Sequence, residues 1–212
     1  MKLERVVSRV LRENIYIFCD EKTGAAAVID PGCGAADVLA AAKRMNARIT
    51  AILLTHGHFD HVGAVNELAK ASGAPVFAHE AERALLGDPA ANHSFKLPGM
   101  VSITPDRFVK DGDEIPVGGE VLRVIFTPGH TAGGVCYYNA ANGILFSGDT
   151  LFFETIGRAD FETSNYADEL RSVKYKLYAL PDETVVYPGH ERPTTIGHEK
   201  THNDCRRDID RA

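Results

Sequence analysis

Four times this chain runs a short apolar segment into a tight turn that ends on an ionisable side chain. The segments are ITAILLTHGHFDH, VLRVIFTPGH, GILFSGD and TVVYPGH, and they deliver His56, His58, Asp60, His61, His130, Asp149 and His190. Short apolar runs bounded by turn residues read as buried strands. Side chains just past the carboxyl ends of such strands gather at one edge of a sheet, where α/β folds commonly build sites. A fold that satisfies this sequence must therefore bring four strand ends together. One PGH triplet is weak, because Pro presets the backbone and Gly permits a sharp reversal whatever follows. Two of them, with a GD turn and an HxHxDH cluster, exceed what punctuation explains.

The remainder alternates strand and helix, and periodicity alone gives a mixed α/β class. RVVSRV, NIYIFCD and AAAVID read as strands, the last stopped by Asp30-Pro31-Gly32. Ala35 to Met45 and Val62 to Ser72 read as helices. Tyr166 to Leu180 places Tyr166, Leu170, Val173, Leu177 and Leu180 on one helical face, a core stripe, with Ser164 or Asn165 as N-cap. Residues 88–119, containing Asn92, His93, Pro98, Gly99 and Pro105, are the least periodic and read as a long loop near a site. With 212 residues and no linker or repeat, one domain spanning 1–212 is expected.

Composition excludes several function classes. A net charge of -6 disfavours nucleic acid as a partner, and no apolar run is long enough for a membrane span. The opening MKLERVVSRVLREN lacks the apolar core of a signal peptide. Cys19, Cys33, Cys136 and Cys205 are scattered without CxxC or framework spacing, so a reducing cytoplasm is the expected location.

Imidazole and carboxylate are the usual ligands of zinc and similar divalent ions, and iron and manganese suit them as well. Residues two apart on an extended segment project to the same side, so His56 and His58 can share an ion, joined by His130. Asp60 and His61, where the chain turns into a helix, can face a second ion with His190. A carboxylate can bridge two cations where neutral imidazole cannot, which makes Asp149 the natural bridge. The expectation is two divalent ions, most simply zinc.

THGHFDH, TPGHTAGG, SGDTLF and YPGH, in this order, resemble the metallo-β-lactamase superfamily. The resemblance implies an αβ/βα four-layer sandwich, two facing mixed β-sheets with helices outside and metals at one edge. Many true β-lactamases of that superfamily carry a cysteine where this chain has Asp149, and Cys136 lies elsewhere. LLTHGHFDHVGA, TPDRFVKDGDEI, SGDTLF followed by IGRADF, and TTIGHEKTHN are similar to single-domain bacterial glyoxalase II-like enzymes, the hydroxyacylglutathione hydrolases. The implied activity is hydrolysis of small acyl thiols, a bridging hydroxide attacking the carbonyl and a metal stabilising the oxyanion, with Asp60 and Asp149 as catalytic residues. Larger relatives add a C-terminal helical domain that holds glutathione; little chain follows His190, and no such domain is expected here. Arg158 matches a Lys or Arg of those enzymes, whereas Asp160 and Arg192 replace tyrosines. Arg158 either binds a substrate carboxylate or is a buried residue pinning its loop to Asp160 or Asp149.

Two other readings share the cluster. Persulfide dioxygenases have a GRxDF-like turn, resembled by Gly157 to Phe161, but use one iron for an oxidation. A non-catalytic or electron-transfer module of the flavodiiron type would carry Glu in place of His58. A second motif, His198 to His202, satisfies HExxH, the zinc-protease helix. It lacks a third ligand downstream and an apolar helix to embed it, so it is read as coincidental. His79 and His93 have no partner motif; His93 can line the mouth of the site.

Overall fold

The computed structural model describes residues 1–96 and 99–212. Its first half builds a sheet from β1 (Lys2–Val7), β2 (Asn14–Cys19), β3 (Ala25–Ile29), β4 (Arg48–Leu53), β5 (Val76–His79) and β6 (Arg107–Val109), in that spatial order. β1 to β3 are antiparallel and β3 to β6 parallel. The second sheet is β7 (Glu114–Val117), β8 (Glu120–Phe126), β9 (Val135–Asn139), β10 (Ile144–Gly148), β11 (Val185–Pro188) and β12 (Thr194–Thr195), its order running back from β12 to β7. Only the β10–β11 pair is parallel there.

Side-chain alternation sorts each strand between two cores. On β2, Tyr16 and Phe18 face the other sheet, where both meet Phe146 of β10 at ring-centroid distances of 5.4 and 6.0 Å. Ile15 and Ile17 face the opposite way, into a layer with Val38 of α1 (Ala35–Arg44), Leu68 of α3 (Val65–Ser72) and Leu86 of α4 (Arg83–Gly87). On the far side, Leu145 and Val186 pack with Leu170 of α5 (Tyr166–Ser172), Ile196 of α6 (Ile196–His202) and Ile209 of α7 (Arg206–Arg211). β2, covered on both faces, is buried at every position, which is why it reads as a continuous apolar run. The result is the expected four-layer αβ/βα sandwich.

Several boundaries differ from the sequence reading. The first strand is Lys2–Val7 rather than residues 5–10, because its antiparallel register ends at Val7 opposite Asn14 and the chain then turns through Leu11 and Arg12 at φ 48 and 57. The helix expected from Val62 begins earlier, as α2 (Phe59–Val62), and is interrupted at Ala64, whose φ of -102 and ψ of 1 break the helical run before α3. The helix expected over Tyr166 to Leu180 is α5 followed by a wider π turn, Val173–Leu177. Asn165, not Ser164, caps it, accepting from Asp168 N–H, whereas the Ser164 hydroxyl donates to the His130 carbonyl. Leu170, Val173, Leu177 and Leu180 are buried, but Tyr166 is 44% exposed and leaves the stripe to donate to Asp208. Residues 88–119 hold β6 and β7 and a short 3-10 turn, so only part of the span is loop; Pro98 lies outside the described residues. Among the described residues no helix is long and apolar enough to cross a membrane.

Candidate metal centre

The four strand ends do converge. β4 delivers His56 and His58 and leads into α2, which carries Asp60 and His61; His130 follows β8, Asp149 follows β10, and His190 follows β11. Donor atoms of His56, His58 and His130 lie within 4.8 Å of one another, as do those of Asp60, His61 and His190. Asp149 stands between the groups: its Oδ1 is 3.3 Å from His61 Nε2, and its Oδ2 is 3.7 Å from His130 Nε2 and 3.6 Å from His190 Nε2. His190 Nε2 is also 3.3 Å from Asp60 Oδ2.

Hydrogen bonds fix which imidazole nitrogen is free. The Asp30 carboxylate accepts from the Thr55 hydroxyl at 2.5 Å and from Thr55 N–H at 2.7 Å, while His61 Nδ1 donates to its Oδ2 at 3.0 Å. With its proton given to Asp30, the Thr55 oxygen accepts from His56 Nδ1 at 3.1 Å. His130 Nδ1 donates to the Arg158 carbonyl at 2.8 Å. In each case the other nitrogen, Nε2, carries the lone pair and faces the centre, the arrangement in which outer partners orient metal-binding histidines. His56 Nε2, His61 Nε2 and Asp149 Oδ1 are buried without a hydrogen-bond partner. Three such orphans in one small space are costly in a protein interior, and a divalent cation satisfies all three. The residues therefore fit metal ions of the kind that imidazole and carboxylate hold.

Asp30 also groups with His56 and His61 by distance. Its oxygens are taken by Thr55 and His61, which makes it their support. Its backbone is held at φ 49.

The electrostatics divide the centre: at His61 and His190 burial, which lowers the pKa, is outweighed by the carboxylates of Asp149 and Asp60, so both are raised and would release protons as an ion binds, whereas the other trio is already neutral. Burial, then the neighbouring imidazoles, push His56 well below its ordinary value; burial and His130 bring His58 down to about 3. His130 is lowered chiefly by burial. Neutral imidazole is the ligand form, so this trio needs little proton release on binding. Burial alone would raise Asp149, but His61 beside it and the other imidazoles hold it well below the usual carboxylate range. Asp60 is likewise lowered, burial being outweighed by His61 and His190.

Sequence reasoning missed three carboxylates that hold this scaffold. Glu82, 1% exposed, accepts from Gly57 N–H and Gly133 N–H, both at 2.7 Å, and so ties the His56–His58 loop to the turn after His130. Glu169 on α5 accepts from His130 N–H at 2.7 Å. Asp30 was read only as a turn residue. One signal was present: a Cβ at Gly133 would strike Glu82, and one at Gly129 would strike Glu169, so the glycines of TPGHTAGG admit buried carboxylates.

The other candidates separate. Arg158 is not buried: its side chain is 64% exposed and forms a bidentate pair with Asp160, at 2.5 and 2.6 Å, rather than with Asp149. Its guanidinium lies 4.6 Å from the Phe161 ring centroid, at the wall of the cavity that opens on the centre. His79 is half-buried, stacks on Phe126 and accepts from Ala81 N–H. In the HExxH stretch, Glu199 is fully buried and accepts from the Thr194 hydroxyl, Glu154 N–H and the Asn203 amide, while His198 bonds Glu154. The helix is embedded after all, through Ile196, which packs in one cluster with Ile209 of α7, but its glutamate is a structural acceptor.

A model of the metallo-beta-lactamase superfamily matches residues 9–190. The hydroxyacylglutathione hydrolase GloC of Haemophilus influenzae is 32% identical over 206 residues, covering 96% of this chain and 97% of that protein. Among solved structures, BLEG-1, described as a B3 metallo-beta-lactamase, superposes with a TM-score of 0.90 at 36% identity, over 97% of this chain and 99% of that one. TTHA1623, solved in a di-iron-bound form, gives 0.84 at 34% identity, over 95% and 98%. With that model matched over residues 9–190 and the two-sheet fold shared with these structures, the chain belongs to the metallo-beta-lactamase superfamily.

Proposed function

We propose that this protein is a metal-dependent hydrolase of acyl thiols, of the hydroxyacylglutathione hydrolase type, with two divalent ions. The observation that carries the reading is the pair of three-donor clusters with Asp149 between them and three buried donor atoms otherwise unsatisfied. His56, His58 and His130 would hold one ion, Asp60, His61 and His190 the other, and Asp149 both. Bound there, paired divalent ions supply Lewis acidity and an acidified water. The chain supplies the rest. Asp60 accepts a proton or orients the nucleophilic water; Asp30, through Thr55 and directly, keeps two imidazoles in the ligand tautomer. The cavity above the centre, about 510 Å³, is walled by Leu11, Phe152, Ile156 and Phe161, an apolar lining for an acyl group. A thiolate leaves without a strong acid, and none of the facing groups need provide one. Arg158, exposed at the rim, would exchange its Asp160 partner for a substrate carboxylate. The relationship to GloC supports the thioester reading, and the di-iron form of TTHA1623 supports two ions without deciding which metal is native here.

The test is a screen of acyl-glutathione, other acyl thiols, lactones and glutathione persulfide against protein of measured metal content. Thioester hydrolysis with close to two ions per chain is expected. One iron per chain, with oxygen uptake on the persulfide and no thioesterase activity, would replace this reading with the dioxygenase one.

A further inference from the structure

The chain beyond His190 is tied to the wall of the cavity. Phe152, Thr155 and Ile156 line that wall, and all three sit on one tight loop that follows Asp149 and returns to Gly157. The loop closes on itself: Phe152 N–H donates to the Thr155 carbonyl at 3.0 Å, Gly157 N–H to the Thr150 carbonyl at 3.2 Å, and Leu151 pairs with Ile156 in a β-bridge. At its tip Glu154 takes φ 61, a conformation L residues adopt rarely and chiefly where the surroundings impose it.

The surroundings here are the HExxH stretch, which the metal centre leaves unused. Glu199 is 0% exposed, and its carboxyl oxygens accept from Glu154 N–H at 3.0 and 3.1 Å, from the Thr194 hydroxyl at 2.6 Å and from the Asn203 amide at 2.8 Å. The same Asn203 amide donates to the Thr155 carbonyl at 3.1 Å, and Asp204 N–H to the Glu154 carbonyl at 2.8 Å. Three backbone groups of the loop tip thus end on the tail. Glu199 meets three donors at once because a carboxylate only accepts; an amide there would turn an NH2 toward one of them. Moving the tip would leave these groups unpaired, so its place is fixed, and with it the wall.

We propose that residues 194–204 set the shape of the acyl wall, with Glu199 as a positioning residue for acyl-group selection: by fixing Glu154 it holds Phe152, Thr155 and Ile156 where they pack against the acyl chain. This rests on the thioesterase reading for what occupies the cavity. The Phe152 ring lies 6.2 Å from that of His190, so the wall starts beside a metal-facing histidine. A slackened wall widens the acyl space without removing a metal-facing side chain. Burying one methylene against a firm wall is worth up to about fourfold in affinity, and a wall that yields forfeits most of that gain.

The experiment uses metal-loaded protein and S-methyl-, S-propyl- and S-pentylglutathione, thioethers that carry an alkyl chain where the acyl group would lie and are not hydrolysed. Kd is read by calorimetry. Wild type is expected to gain on the order of two- to fourfold in affinity per methylene. Glu199→Gln should bring that gain below about 1.5-fold while bound metal is retained. With the matching acylglutathiones, KM should rise for the longer chains by more than kcat falls. Asp204→Pro removes one tail donor and keeps Glu199, and Asn203, at φ -61 and ψ 130, already suits a following proline. It should flatten the gain less, in the same direction, and it carries the test if Glu199→Gln does not fold. A merely structural role weakens all three thioethers equally. That result, a per-methylene gain unchanged in either variant, or a wild type with no such gain overturns the wall assignment and leaves the thioesterase reading standing. A gain that the variants flatten, in a protein that hydrolyses no acylglutathione, keeps the wall and removes the thioesterase reading.

Discussion

Replacing Glu82 tests whether the two halves of the centre are held by one buried carboxylate. Its oxygens accept separately from the Gly57 and Gly133 N–H groups, each at 2.7 Å. A hydrogen bond to a charged group contributes about 1.5–3 kcal/mol, and a buried donor left unpaired costs about 1–3 kcal/mol. Glu82→Gln keeps one carbonyl acceptor but sets an amide NH2 against the second backbone N–H, so a loss of about 2–3 kcal/mol is expected. With a urea slope of about 2 kcal/mol per molar, the midpoint falls by about 1–1.5 M. Glu82→Ala loses both bonds and should cost about 3–6 kcal/mol. Burial raises the Glu82 pKa, with the two N–H bonds and Thr131 pulling the other way. Urea unfolding of the as-purified proteins, with metal content measured alongside, reads the loss. A Gln variant as stable as wild type would refute the reasoning.

Asp149→Ala should lower metal content and turnover together, since Asp149 faces both donor groups; elemental analysis beside the activity assay checks it. Asp60→Asn should reduce turnover more than it disturbs the melting temperature, and full turnover in a metallated variant would remove Asp60 from the chemistry. Replacing His198 and His202 with Ala should leave bound metal and activity nearly intact, because Glu199 between them is committed to Thr194 and Asn203. Asp20 is held down at about 2 by the Thr23 hydroxyl and by Gly119 and Lys22 N–H. Its stabilisation is present above the ordinary aspartate value and lost as pH falls from there toward 2, so Asp20→Asn should flatten the acid limb of a stability curve.

The strand-end pattern exposed the site because it is a local signal. Each polar group sits one turn beyond its own strand, so a short window shows both. The same locality explains the errors. Nothing in Val62 to Ser72 forbids one helix; the break at Ala64 comes from how α2 and α3 seat on different neighbours. Tyr166 fits the apolar period but reaches Asp208, a partner far along the sequence. Asp30, Glu82 and Glu169 were invisible for the same reason: each bonds to a residue at least 25 positions away. Sequence offers Arg158 either a substrate carboxylate or a buried loop contact, and its exposure depends on the turn that lets Asp160 reach it. The four-layer arrangement came from resemblance; periodicity supplied only alternating elements.

The centre draws His56, His58, Asp60 and His61 from the end of one sheet and His130, Asp149 and His190 from the other. All four cysteines are free, so no covalent cross-link joins the sheets. An ion gripped from both sides would then be a removable staple, closing a long loop of chain as a disulfide would, but set by the surrounding metal concentration instead of redox poise. Each tenfold rise in free metal above its dissociation constant would add about 1.4 kcal/mol to the folded state. Cells starved of metal would lose the fold's durability along with the reaction, making the protein's lifetime itself a gauge of metal supply.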